Sequence, residues 1–347
     1  MSERKLVSVQ EINGIHPIKD ADRIEIARVQ GWVVVVGKDM GLKPGDHIAY
    51  FETDSLLPAA DQRYAAFQTR GQKTMQVDNV GDVTGHVLRT MKLRGVWSQG
   101  LIMRLDELGV APDTPVGTDI TAQAGVYKWE EPVPFANGNI IGRFNAPCSK
   151  SDAPRVQNLT AHWDELALLE AVPTVKADGA STTIYRDGEG AVHVYSRNWE
   201  IDPDCTALDV ARQVGLVDAL NPGMVIQFEL CGPGINGNRL KLTHPTPFVF
   251  AVWVNHWKTN RDQWPDAARR YAAPILSGDE WRLHGTVDDM IEQVSGLRGN
   301  LSGDLLDEGV VWHVADTQTL SPELANELGA NRCWKIINNK YLLKHGL

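Results

Sequence analysis

The chain has 347 residues, 43% hydrophobic and 22% charged, with a formal net charge of −10. That length suits two domains better than one core. No window approaches eighteen apolar residues, so no spanning helix is expected, and the acidic balance argues against non-specific nucleic-acid binding while permitting a local basic groove. The four cysteines, Cys148, Cys205, Cys231 and Cys333, form no CxxC pair. This argues against a zinc site or a disulfide framework. With an N-terminal MSERKLVSVQ that lacks a signal pattern, the expected setting is the cytoplasm, away from any membrane.

In chain order, the first stretch reads as short strands. RIEIARVQGWVVVVGK (23–38) holds two β-branched runs joined at Gln30-Gly31, which predicts a hairpin. LKPGDHIAYFETDSLLP (42–58) has a Pro-Gly-Asp turn before another apolar strand, and GHVLRTMKLRGVWSQGLIM (85–103) alternates around Gly95. These predict a small closed β-barrel over 1–125. Residues 106–135 are dense in Pro and Gly and are expected to be the linker. A second domain, 126–347, mixes strands and helices. Helical spacing runs through LTAHWDELALLEA (159–171), TALDVARQVGLVDAL (206–220) and VDDMIEQVSGL (287–297). Strands are expected at MVIQFELCG (224–232) and TPFVFAVWV (246–254), and late strands or strand-to-helix transitions at EGVVWHV (308–314) and WKIINNKYLL (334–343).

Chemistry concentrates in the second domain. PTVKADGASTTIYRDG sets Lys176, Asp178 and Gly179 between two strand-like runs. Alone, this is better read as a surface turn with a solvated lysine. Further on come Arg197 in SRNWEI, Glu229 within an apolar strand, Glu308 just before another and Lys335 in CWKIINNKYLLK. Buried charges are costly unless they are paired or bind a metal, so this series predicts one shared polar site.

The order KxDG, SRN, ExxG, an aromatic FxF strand, EG and a late lysine resembles the covalent nucleotidyltransferases. Within them the chain is most similar to the Naegleria-type ATP-dependent RNA ligases, which carry an N-terminal OB-like barrel. SKSDAPRVQNL (149–159), GPGINGN (232–238), NNKYLLK (338–344) and, in the barrel, ADRIEIARVQGW, YFETDSLLP and LRTMKLRGVWSQGL share in the likeness, which covers nearly the whole chain. The implied fold class is α+β: an OB-like β-barrel followed by an ATP-grasp-like nucleotidyltransferase domain with antiparallel sheets.

The resemblance implies ATP-dependent sealing of RNA 3′-OH and 5′-phosphate ends in RNA repair. Lys176 takes AMP from ATP, the AMP passes to the RNA 5′-phosphate, and the 3′-hydroxyl displaces it. Lys176, Lys335, Arg197, Glu229 and Glu308 are the implied catalytic residues. Lys176, Arg155, Arg197, Glu229, Phe250, Phe248, Lys241 and Lys335 would hold the nucleotide. Asp178, Glu229 and Glu308 would hold Mg2+ or Mn2+, partly through water. Lys241 is read equally well as a solvated loop lysine. Ala251, where relatives often have an acid, and Cys333, where they often have a lysine, depart from the pattern; Lys340 is a fallback for Lys335. A lysine attacks only when deprotonated, so neighbouring cations are expected to lower the Lys176 pKa. The expected protein is a monomer, with RNA as substrate and an end-healing kinase/phosphatase as a partner.

In the barrel, Arg89, Lys92, Arg94 and Trp97 form a basic-aromatic cluster suited to a single strand, or a solvated strand edge. A DNA ligase or GTP-dependent capping enzyme would usually carry its OB domain after the nucleotidyltransferase domain, and only twelve residues follow Lys335. A non-catalytic RNA-binding adaptor would tolerate loss of the lysines and acids that this chain keeps.

Overall fold

The structure is a computed structural model. It describes residues 4–69, 71–77, 79–130, 138–315 and 317–347. The chain forms two compact units: Met1–Pro132 with Val156–Ala161 and Leu342–Leu347, and Val133–Arg155 with His162–Tyr341.

The first unit is built from short antiparallel sheets. Val7–Glu11, His47–Phe51 and Leu101–Met103 form one sheet, and Gly14–Pro17, Ile24–Val29 and Trp32–Gly37 a second. A third pairs Tyr127–Lys128, Ser55–Pro58, Gly81–Val87 and Gln72–Val77. The predicted hairpin forms at Gln30-Gly31, with Val29 opposite Trp32. Gln30 is in the left-handed region at φ 51°. Gly31 has a different reason for being glycine: a Cβ there would lie 2.9 Å from the Gln157 Cα. The Gly31 N–H donates to the Gln157 carbonyl at 3.0 Å, which is how 156–161 joins this unit. Alternation in WVVVVG points Trp32, Val34 and Val36 into a core with Ile48 and Tyr50.

The linker expectation fails over 106–130. Leu108, Ile120, Ala124 and Val126 are buried in the core with Val7 and Phe51, and Tyr127 pairs with Leu56. Turn-rich composition hid these few apolar anchors, each worth roughly 1–3 kcal/mol when buried. Residues 131–135 of the expected linker lie outside the described residues.

The second unit has a seven-stranded antiparallel sheet in the order Ile140–Arg143, Trp199–Ile201, Val192–Tyr195, Ala180–Arg186, Met224–Cys231, Thr246–Val254 and Trp257–Lys258. Leu208 and Ala211 of helix Thr206–Gln213 pack with Ile184, Ile226 and Phe228 of this sheet. A three-stranded sheet pairs Ala171–Lys176 and Cys333–Ile337 on either side of Gly309–Val314. Helix Val287–Val294 forms as expected, capped by Thr286.

Two expected helices are shorter than their spacing suggests. The 206–220 helix ends at Gln213, two residues before Gly215 at φ 78°. In 159–171 the chain makes a 3-10 turn through Val156–His162 and one α-turn at Trp163–Leu166, then extends from Ala171 to pair with Val314. Strand pairing and the division of this segment between the two units override its periodicity.

Candidate active site

KADG proves to be a crossing between the two sheets rather than a hairpin turn. Lys176 ends the strand paired with Gly309–Val314, and Ala180 begins the strand paired with Met224–Cys231. Register then places the lysines together. Thr174, Val311 and Lys335 form one row and Lys176, Gly309 and Ile337 the next but one. Residues two apart share a face, so Lys176 and Lys335 project from the same face. Val175, Val310, Trp312, Trp334 and Ile336 are buried on the other.

Three carboxylates surround Lys176. Glu308, immediately before its strand, accepts from Lys176 Nζ at 2.6 Å. Glu229, opposite Ser181 in the large sheet, accepts from the Gly179 N–H at 3.1 Å. Asp178 accepts from Arg239 at 2.5 Å, from the Tyr341 hydroxyl and from Asn236 at 3.4 Å. Gly179 is dictated by packing: a Cβ would lie 2.2 Å from the Leu230 carbonyl oxygen. The neighbouring strand excludes a side chain there. Gly309 is held to glycine in the same way by the Ile336 oxygen, 2.2 Å away.

The electrostatics correct one expectation. Burial pulls the Lys176 pKa down, but Glu308, Glu229 and Asp178 outweigh it, and the pKa is raised. The lysine of this site is a paired ammonium. Burial pushes Glu229 up to about 7, against the opposing pull of Lys176. Burial also raises Glu308. The same effect, reinforced by Asp178, holds the Tyr341 hydroxyl well above its usual value.

The other expected residues fall at varied distances. Arg197, in the turn after Val192–Tyr195, acts on Glu229 through its charge. Lys335 acts likewise on Glu308 and lies 3.4 Å from Asp152. Arg155 is buried, and its backbone pairs with that of Lys335 in an isolated parallel β-bridge. Phe248 stands opposite Glu229 and packs with Ala177 and Leu240. Phe250 falls at a register shift and packs with Val225 and Trp253 instead. Lys241 and Lys340 are exposed. The glycine-rich loop therefore sends Arg239, rather than Lys241, to Asp178. Arg239, Asn236 and Tyr341 were not foreseen, although they stand within or beside the quoted GPGINGN and NNKYLLK motifs; side-chain reach across 61 and 163 residues of sequence leaves no periodic signal. Among the described residues, no group of three or more His, Cys, Asp or Glu side chains converges to hold a metal directly.

Residues 6–105 match the family model of an OB-fold domain. Residues 169–333 match the family model of RNA ligase. The chain carries an RNA ligase domain. It spans the strand that ends at Lys176 and extends through Glu229 and Glu308 to Cys333. Among solved structures, a Naegleria gruberi RNA ligase variant with AMP and manganese is 28% identical, with a TM-score of 0.83 over 99% of each chain. The same RNA ligase with pyrophosphate gives equal values. A variant with ATP and manganese is 29% identical, with a TM-score of 0.82 over 99% of this chain and 100% of that one. No curated protein sequence matches. The OB fold followed by an α+β ligase domain is thus the architecture of this chain, and the adaptor, DNA ligase and capping-enzyme readings are not favoured.

Proposed function

We infer that this protein is an ATP-dependent RNA ligase in which Lys176 carries AMP. The observation that carries the reading is the Lys176 ammonium, 2.6 Å from Glu308 and ringed by Glu229 and Asp178, inside an RNA ligase domain. Lys176 must lose a proton before its amine attacks, and Glu308, with its raised pKa, is placed to take it. A bond then forms between Nζ and the α-phosphorus of ATP as the bond to pyrophosphate breaks. Arg197, Lys335 and Arg155 balance the phosphate charge. An oxygen of the RNA 5′-phosphate next displaces Lys176, which regains its proton. The 3′-hydroxyl finally displaces AMP and gives its own proton away.

Asp178, Glu229 and Glu308 are hard oxygen donors, and burial raises the pKa of the latter two. That donor set fits Mg2+ or Mn2+, met through the ion's own waters. When bound, the ion supplies further positive charge against the α-phosphate. Phe248 and Phe250 are the aromatic surfaces available to adenine. The same proposal includes sealing of 3′-OH and 5′-phosphate ends in RNA repair, a monomeric state, a cytoplasmic setting and an end-healing kinase/phosphatase as supplier of those ends. No helix among the described residues is long and apolar enough to cross a membrane.

The test needs no RNA. Incubated with α-labelled ATP and Mn2+, the wild type should retain label after denaturation and Lys176→Ala should not. Absence of label on the wild type sinks the reading, and label from GTP alone points to capping chemistry.

A further inference from the structure

The face of the small sheet that carries Lys176 continues past Lys335 to a third row. Lys176, Gly309 and Ile337 form the first row, Thr174, Val311 and Lys335 the second, and Val172, His313 and Cys333 the third. At ~3.4 Å per residue, the third row lies on the order of 13 Å from the first. Its cation comes from the large sheet. Lys258, half-buried on the edge strand and paired with Trp253, donates to the Asn331 carbonyl at 2.8 Å and lies 3.3 Å from His313 Nδ1. His313 is held there as an acceptor. The Thr174 hydroxyl donates to the Val311 carbonyl at 3.3 Å and so accepts from His313 Nε2–H at 3.0 Å. That tautomer leaves the Nδ1 lone pair for the Lys258 ammonium. Burial, aided by the charges of Lys258 and Arg261, keeps the imidazole pKa well below its usual value. Lys258 and Lys335 both act by charge on the buried Cys333 thiol between them and His313.

We propose that Lys258 binds the two outer phosphates of ATP, the ones that leave as pyrophosphate. The proposal rests on the ligase reading for the identity of the nucleotide. In an in-line displacement the leaving oxygen lies opposite the attacking Nζ. The carboxyl groups of Glu308, Glu229 and Asp178 crowd the Lys176 end of the face. Along the rows away from that end, the cations Lys335 and then Lys258 follow. The bond from Lys176 Nζ to the α-phosphorus forms as the bond from that phosphorus to its bridging oxygen breaks. The bridging oxygen takes the electron pair into pyrophosphate, and the Lys258 ammonium offsets this charge while keeping its own protons. A pyrophosphate oxygen replaces His313 Nδ1 as acceptor, because a charged acceptor makes the stronger bond.

Titration calorimetry with pyrophosphate and Mg2+ reads this site without RNA. Lys258→Met should weaken pyrophosphate binding roughly ten- to hundredfold, the loss of one charge-assisted hydrogen bond. Lys258→Arg should restore most of it. The KM for ATP in lysine adenylylation should rise in parallel. Transfer of AMP from the pre-adenylylated enzyme to an RNA 5′-phosphate should keep its wild-type rate in Lys258→Met, since the outer phosphates have by then left. A merely structural role would differ. The Asn331 amide holds the Lys150 and Asp152 carbonyls, and Asp152 meets Lys335, so loosening this chain would slow both steps. If Lys258→Met melts early, Lys258→Gln, which can still donate to Asn331, takes its place. Unchanged pyrophosphate affinity in the normally melting variant overturns the proposal, as does equal slowing of both steps or a wild type that binds no pyrophosphate. If the wild type and variants bind pyrophosphate as expected yet the wild type takes no label from ATP, the ligase reading fails while the phosphate site stands.

Discussion

At the scale of single residues, the site is a problem of crowded charge. Glu229 is the sharpest case, because burial raises its pKa to about 7 from 4.5. Between those values the folded protein holds a proton that the unfolded chain has released. Stability from this group therefore falls as pH rises through that window and is fully lost above about 7. Glu229→Gln should remove the decline. Relative to wild type, the variant should gain on the order of 2 kcal/mol between pH 4.5 and pH 8, the full shift being reduced by solvent at this partly open site. Urea unfolding at the two pH values checks this, and equal slopes for both proteins would refute it. Gly179→Ala tests packing at the same crossing. With a backbone oxygen 2.2 Å from the new methyl, the strands must part, and a loss of about 3 kcal/mol or outright misfolding is expected in the same assay. KADG by itself did not show why glycine is needed there; the cause, the Leu230 carbonyl, lies 51 positions along the chain.

At the scale of elements, Asn338 joins the last strand to the last helix. Its side chain donates to the Leu297 and Asp307 carbonyls at 3.1 and 3.0 Å and accepts from the N–H groups of Lys340 and Tyr341. The Asn338 N–H donates to the Glu308 carbonyl at 2.8 Å. One buried residue thus caps helix Asn339–His345, fixes the loop carrying Glu308 and aims Tyr341 at Asp178. Asn338→Ala should cost about 2–4 kcal/mol, the sum of a lost cap and the loss of the two hydrogen bonds to the Leu297 and Asp307 carbonyls. It should also slow lysine adenylylation, read by single-turnover labelling. A stability loss with an unchanged labelling rate would show that the cap does not position the site. Strands such as 224–231 and 246–254 were legible because apolar run length and turn signals agree. The 159–171 segment was not, because its helical spacing competes with a strand partner 143 residues away at Val314.

At the scale of the whole molecule, the two units are not two consecutive stretches of chain. The Asn158 side chain accepts from Trp32 Nε1 at 2.6 Å and donates to Glu52 at 2.6 Å, both within the first unit. Asn158→Ala should remove both hydrogen bonds and lower the stability of that unit by about 1–3 kcal/mol, seen as faster amide exchange along Trp32–Gly37. Unchanged exchange there would mean that 156–161 is only draped on the barrel. The sequence by itself determined the kind of protein: strand alternation in the barrel, buried lysines and acids in a set order, and a motif series whose resemblance to RNA ligases the family match bears out. Those signals are local or lie in linear order, where side-chain period and residue type are directly readable. Only the tertiary structure decided which cation meets which carboxylate. It put Arg239 and Tyr341 on Asp178, made Lys176 a paired ammonium and assigned 156–161 to the first unit. These outcomes depend on distances between residues far apart in the chain, and in a buried site it is those distances that set the charge state of each group.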